Sequence, residues 1–289
     1  MPIINKRTGW IVMITISLFF SRFVSAQDVI TFDEVSIKPI FSQLDHSNMS
    51  AYRSTFVNDI INDDLEKYLT SIQLATFLYL EYGIDHHTND NKTSTPNKLD
   101  RFFRDKIRWG VEAKDDAESA SDILLYGDIF LTMTILPFFS DNGYLDMLKT
   151  SLDVISLNGI VTDLVKMSVK RQRPDSYYET REDTDDSFRS FFSGHTSTTF
   201  AIGTSNAIML SEIYPDKRIP IWIGNLSLAA ATGYLRIAGD KHYMSDVICG
   251  GLVGYSIARM VHKRKEMKKV NIGLGSVADH FSIDLSIRL

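Results

Sequence analysis

Three short clusters in this chain hold residues able to work on an anion. Lys166 to Pro174 reads KMSVKRQRP, Ser190 to Phe200 reads SFFSGHTSTTF, and Arg236 to Asp246 reads RIAGDKHYMSD. In the first, Lys166 and Arg173 stand seven residues apart, near two helical turns, so they project from one face. Pro174 discourages further helix and leaves Arg173 extended, with its guanidinium free to aim into a cleft. Lys170 and Arg171 lie between them. A basic helix end is common for dipole reasons alone, so this cluster by itself is equally a structural feature. In the second cluster Ser193 can cap a helix starting near His195, and Gly194 lets backbone amides approach a ligand closely. Free N–H groups at a helix start suit a phosphate. Taken alone, a cap with an incidental histidine is an equally good reading. In the third, His242 and Asp246 are four apart, which on a helix puts both on one face. Asp246 can then accept from one ring nitrogen and leave the other as nucleophile or base. Arg236 comes six residues before His242.

Together the clusters offer three cations, a helix N-terminus and two histidines, one with a carboxylate orienter. That set suits phosphoryl transfer, where positioning and charge stabilisation do most of the work. No metal site is expected, because the candidate ligands lie among many cations and no H-x-x-x-H or H-E-x-x-H spacing is present. The segments K-x6-R-P at Lys166 to Pro174, S-G-H at Ser193 to His195 and R-x5-H-x3-D at Arg236 to Asp246 resemble the three-part signature of the type 2 phosphatidic acid phosphatase (PAP2) family. That family shares its fold and site with vanadium haloperoxidases. All three parts occur in order, and the resemblance covers about residues 119 to 263.

The resemblance implies a metal-independent phosphatase with a phosphohistidine intermediate. His242 would attack phosphorus, Asp246 would orient it, and His195 would protonate the leaving oxygen and later activate water. Lys166, Arg173 and Arg236 would hold the phosphoryl oxygens, helped by Ser193 and the Gly194 amide. No cofactor is implied; vanadate would serve only if the chain were a haloperoxidase. One departure is visible: the family usually has proline before S-G-H, and here Phe192 takes that place.

The elements that must position these residues read as mainly α, a helical bundle. Apolar positions repeat at helical spacing in Leu65 to Tyr82, Leu99 to Trp109, Ser121 to Phe139, Tyr144 to Arg171, Thr196 to Ile213, Ile219 to Ile237 and Ser245 to Lys263. The polar run 86–98 reads as a loop, and Glu179 to Ser187 as a solvated acidic connector that could also screen the entrance. Asp122 is read as a packed helix-face residue, with a place near the site as the alternative. Between Arg218 and Arg236 lie 17 uncharged residues, the lower edge of a membrane span. Their small and polar members, and a mean hydropathy of -0.07, favour a buried bundle helix in a soluble or peripherally attached protein. After the basic run His262 to Lys269 the tail alternates, with Phe281, Ile283, Leu285, Ile287 and Leu289 on one side, as in a short β-hairpin. His46, His86, His87, His262 and His280 are expected in loops or on the surface.

The expected organisation is a signal peptide over 1–26, a mostly helical region over 27–118, the catalytic bundle over 119–263 and a tail over 264–289. Lys6 and Arg7 precede an apolar run from Trp10 to Phe20, and Val24-Ser25-Ala26 supplies a cleavage site. At about 11 residues the run is shorter than the roughly 20 needed to span. Its removal would move the formal net charge from -5 to -8 by taking Lys6, Arg7 and Arg22. An acidic mature protein excludes a nucleic-acid partner, for which a basic face is needed. Cys249 is the only cysteine, so no internal disulfide can form, and its apolar setting favours a buried thiol over a nucleophile. These residues point to an exported, periplasmic or peripherally envelope-attached enzyme acting on a phosphorylated small molecule or lipid. A vanadate-dependent haloperoxidase and a catalytically idle envelope binding protein are the alternatives.

Overall fold

Tyr144–Val169 forms the long helix expected from its apolar spacing, but it ends short of Arg171 because Lys170 adopts a left-handed backbone with φ 50°. The structure, a computed structural model, describes residues 68–83, 95–139, 144–181, 184, 186–268, 270–277 and 280–287, with backbone alone from 267 onward. The expected signal peptide over 1–26, His46, His86, His87 and most of the loop expected over 86–98 lie outside these residues. The chain divides into units Met1–Asp63 and Asp64–Leu289, and the second holds everything that follows.

In chain order, α1 covers 68–78 and widens into a π turn at Tyr79–Gly83. Next come α2 (Lys98–Ile107) and α3 (Lys114–Phe130). The long helix is α4 (Tyr144–Val169), and α5 (Pro174–Tyr177) is a single turn. The remaining helices are α6 (Gly194–Ile213), α7 (Arg218–Ala238) and α8 (Met244–Lys268). Strands β1 (Val270–Val277) and β2 (His280–Ile287) pair antiparallel in register Val270 with Ile287 through Val277 with His280. The described second unit is thus mainly α, a helical bundle. α3 begins at Lys114 rather than Ser121 and runs through residues 118 and 119 before loosening into a π turn at Leu131–Ile135. The bundle therefore starts upstream of the point where the composition turns apolar.

α6 is the hub, packed against α8, α7, α4 and α3. Its contact with α8 is a backbone approach: a Cβ added at Gly254 would stand 2.0 Å from the Ser197 carbonyl oxygen, and one at Gly250 would stand 2.7 Å from that of Ser193. Glycines four apart thus form a notch in α8 into which the first turns of α6 settle. Val154, Ala201, Ile257, Ala258 and Val261 form the apolar core where α4, α6 and α8 meet. Hydrogen bonds tie these helices, and the π turn after α3, laterally: Asn158 bonds Ser197 and Thr198, Asn206 donates to Thr132 of the π turn, and Ser205 meets His262 at 2.9 Å. His262 is accordingly a half-buried interhelical residue and not the surface histidine its basic neighbours suggest.

The apolar outer faces differ from the expected buried bundle. On α7, Ile219 and Ile223 are 72% and 62% exposed, and only its last turns are buried. Ile123, Phe130 and Phe138 along α3 and its extension, and Ile248, Leu252 and Met260 on α8, are also exposed. Lys114–Phe138 is long and apolar enough to cross a membrane by length and composition.

Candidate active site

Ser193 ends an extended segment (φ -65°, ψ 109°) and caps α6, its hydroxyl accepting from the Thr196 amide and meeting Thr196 Oγ1 at 2.9 Å. The Ser193 amide donates to the Asp246 carbonyl oxygen at 3.1 Å, so the second and third sequence clusters are stitched together through the backbone. The first cluster reaches the same place. Lys166, in the last turn of α4, lies against Gly194: a Cβ there would stand 3.1 Å from Lys166 Nζ. A side chain at 194 would therefore push the ammonium away from the start of α6, which is a reason for glycine at this position.

Arg173 has φ -72° and ψ 155°, the extended conformation imposed by the following proline, and its amide donates to the Ser187 carbonyl. Its guanidinium is buried and pairs with Asp186, Nη2 to Oδ2 at 2.6 Å and Nε to the backbone oxygen at 2.9 Å. The end of the acidic run is thus not a purely solvated connector; one of its carboxylates sits on a site cation. Arg236, in the last turn of α7, donates to Ser121 Oγ at 3.0 Å and lies 3.5 Å from Asp122 Oδ1, while its Nε has no protein partner.

His195 makes a contact that helix-face packing did not predict. Its Nε2 lies 2.7 Å from Asp122 Oδ1. A carboxylate only accepts, so Nε2 carries the hydrogen and Nδ1 is left to take or give a proton. Burial, with Arg236 and Lys166 close by, pushes this imidazole down to about 4 against the pull of Asp122.

His242 departs from the expected pairing. It precedes α8 instead of lying on it, so the four-residue spacing does not place its ring on Asp246: Nδ1 is 3.8 Å from Asp246 Oδ2. Nδ1 instead lies 2.7 Å from the Ser190 carbonyl oxygen. A carbonyl can only accept, so Nδ1 is the protonated nitrogen and Nε2 keeps its lone pair. Burial, with Arg173, Arg236 and Lys166 around it, pushes His242 well below the ordinary histidine range and keeps the ring neutral.

Asp246 works at one remove. Its Oδ2 accepts from the Tyr243 amide at 2.9 Å, closing the first turn of α8, and from Ser190 Oγ at 2.6 Å. Its Oδ1 accepts from Arg171 at 2.5 Å. Burial pushes this carboxyl up to about 6, and Arg171, Ser190 and the Tyr243 amide hold it from rising further. Ser190 is the residue that sequence spacing could not single out: through its carbonyl and its hydroxyl it touches both members of the pair.

All eight sequence-identified residues, Lys166, Arg173, Ser193, Gly194, His195, Arg236, His242 and Asp246, thus belong to one constellation. Phe192, standing where proline is usual, is buried with its ring edge-on to Phe191 at 6.1 Å. Cys249 is half-buried and not fully buried. Among the described residues, no three His, Cys, Asp or Glu side chains gather in a way that could hold a metal ion.

Comparison with known proteins follows the same residues. Residues 151–269 match the family model described as PAP2 superfamily. The lipid A 1-phosphatase of Porphyromonas gingivalis is 31% identical over 107 residues, which are 37% of this chain and 21% of that protein. The chain thus matches about a fifth of that curated relative's length. Among solved structures, a transmembrane PAP2-type phosphatidylglycerolphosphate phosphatase from Bacillus subtilis aligns with a TM-score of 0.49 and 20% identity, over 69% of this chain and 97% of that one. LpxE from Aquifex aeolicus aligns with a TM-score of 0.35 and 21% identity, over 66% of this chain and 94% of that one. The stretch that holds all three clusters, residues 151–269, is thus similar to the PAP2 superfamily.

Proposed function

We propose that this protein is a metal-independent phosphatase that hydrolyses a lipid-linked phosphate ester through a phosphohistidine. The observation that carries the reading is the gathering of Lys166, Arg173 and Arg236 around a neutral His242 at the capped start of α6. Asp186 pairs with Arg173 and Asp122 lies beside Arg236, and a phosphoryl group is the further anion that three such cations and a helix N-terminus suit.

The reaction follows from the protonation states. Neutral His242 attacks phosphorus with the Nε2 lone pair while the bond to the leaving oxygen breaks, and the Nδ1 hydrogen stays on the Ser190 carbonyl. Protonated His195 gives its proton to the leaving oxygen. Water then attacks the phosphohistidine, His195 takes a proton from it, and phosphate leaves with His242 restored. Ionised Asp246 stabilises the positive imidazole of the intermediate.

The lipid part of the reading rests on the exposed apolar residues of α3, α7 and α8, and on the name of the Porphyromonas relative. Those faces lie against lipid at the cell envelope, facing the periplasm if the expected signal directs export. The test is phosphate release in chelator from lipid A, phosphatidic acid, a polyprenyl diphosphate and a soluble monoester. Lipid-linked esters are expected to be cleaved without added metal, and His242→Ala to lose at least about 10³-fold in kcat. Activity that survives His242→Ala would end the mechanism. Halide oxidation dependent on vanadate and peroxide, without phosphate release, would replace it with the haloperoxidase reading.

A further inference from the structure

Asp100 lies on α2, outside residues 151–269, and is fully buried. Its Oδ1 accepts from the Ser245 amide at 2.9 Å. Its Oδ2 accepts from Ser245 Oγ at 2.9 Å and from Arg171 Nη2 at 2.6 Å. The other end of the Arg171 fork, Nη1, reaches Asp246 Oδ1 at 2.5 Å and Ser245 Oγ at 2.8 Å. The guanidinium also lies over the Tyr243 ring, 4.3 Å from its centre. One arginine thus bridges two buried carboxylates, one on α2 and one on α8, and the second belongs to the candidate site.

We infer that Arg171 and Asp100 are positioning residues for the phosphatase reaction, forming the chain Asp100, Arg171, Asp246, Ser190, His242 that fixes the ring of the nucleophile. The inference rests on the reading of His242 as nucleophile. His242 Nδ1 donates to the Ser190 carbonyl, and the Ser190 hydroxyl is anchored on Asp246. Two donors hold Asp246 Oδ2, and Arg171 holds Oδ1, which fixes the plane of the carboxylate. Arg171 in turn is held at its second nitrogen by Asp100. An arginine between two buried carboxylates is geometrically specific, since only a planar fork can address both. Asp100 also accepts the Ser245 amide in the first turn of α8, so the same carboxylate sets the start of the helix that carries Asp246.

The charge balance gives this arrangement a signature that packing alone lacks. The groups facing Asp246 are Arg171 from the segment after α4, with Asp100 of α2 behind it, His242 and Tyr243 before α8, and Cys249 one turn along. Of these only Arg171 is a permanent cation. Asp246 must be ionised to support a positive imidazole, so its protonation sets an acidic limb in the rate profile. Removing the cation favours the protonated form and moves that limb to higher pH.

Arg171→Gln, Arg171→Lys and Asp100→Asn are compared with the full-length protein on the lipid substrate that it cleaves, with His242→Ala alongside. Arg171→Gln is expected to lose about 10–100-fold in kcat, with KM within about twofold and the acidic limb moved to higher pH. Arg171→Lys keeps a cation beside Asp246 but cannot span both carboxylates, so the limb stays while kcat recovers only in part. Asp100→Asn keeps the side-chain shape and the Arg171 charge, so kcat falls without an upward move of the limb. Should Arg171→Gln fail to fold, the Lys and Asn variants still decide, because wild-type kcat in both would overturn the relay. A loss in Arg171→Gln that is equal at every pH, or that resides in KM, would assign these residues to packing alone and overturn it too. Activity retained by His242→Ala would instead remove the nucleophile, and the relay with it.

Discussion

Crowding cations around an imidazole has a consequence at His195 that bears on its work as an acid. With burial and Arg236 pushing it down to about 4, the ring is neutral in the substrate-free site at pH 7 and has no proton to give. A phosphate dianion in the same place cancels the repulsion from Arg236 and Lys166, so the proton arrives with the substrate. Inorganic phosphate is therefore expected to raise the His195 pKa toward the ordinary histidine value of about 6.5, followed by NMR titration of the ring. A ring that titrates near 4 with and without saturating phosphate would contradict this. The sign is set by the loss of a net positive environment, whichever nitrogen faces the ligand. Asp122 shares the burden, because its contact with Nε2 is the one interaction at that ring favouring the charged form.

At the scale of elements, the site depends on how closely α8 approaches α6. Gly254 and Gly250 face the backbone of the α6 start, where a Cβ meets a carbonyl that cannot move without shifting the helix. Gly251 faces the Phe200 ring at 3.2 Å, which can tilt, and Gly127 on α3 has nothing within 4 Å. Alanine at 254 is expected to cost about 1–3 kcal/mol by overpacking and to lower kcat by separating Ser193 from Asp246. Alanine at 251 costs less, and at 127 it is expected to be neutral or stabilising by up to about 1 kcal/mol, because glycine is a poor helix former. Thermal unfolding of the three variants in one detergent checks the order; equal melting temperatures at 254 and 127 would refute the close approach. A second joint fastens α2 and α3 to the turn before α8. Asp240, at φ 60°, accepts from Arg104 at 2.6 and 2.8 Å and from Lys114 at 2.8 Å. A non-glycine residue in that backbone region is strained, and these buried ion pairs over-determine it.

For the whole molecule the decisive quantity is the apolar surface that the bundle leaves uncovered. Exposed Ile123, Phe130 and Phe138 lie on α3 and its extension, with Ile219 and Ile223 on α7 and Leu252 on α8. Burying one such side chain is worth about 1.5–3 kcal/mol, so several cannot stay in water without association. The purified protein is expected to bind vesicles of neutral lipid at physiological salt and to resist extraction by salt. Ile123→Lys with Phe138→Lys should weaken vesicle binding by at least about tenfold while leaving the fold intact, as read by sedimentation and circular dichroism. A protein that stays monomeric in buffer without detergent and ignores vesicles would remove the lipid contact. The same exposure corrects the reading of 17 uncharged residues between Arg218 and Arg236 as a buried helix, since α7 buries only its last turns.

The amino-acid sequence by itself determined the class of the fold and the identity of the chemical groups. Apolar spacing near 3.6 forecast the long helices to within a turn at most of their ends, because that period reports a local rule of backbone geometry. The three clusters supplied eight of the residues gathered near the start of α6, while Asp122, Arg171 and Ser190 enter through their contacts. Only the tertiary structure decided which atoms touch. The spacing of His242 and Asp246 suggested a direct bond, but His242 lies before the helix and the Ser190 carbonyl takes the ring hydrogen. Asp122 and His195 are 73 residues apart, and Arg171 and Asp100 are 71 apart. No local period encodes those meetings: the packing of α2 against α8, and of α3 against α6 and α7, sets them, and with them the protonation state of each imidazole.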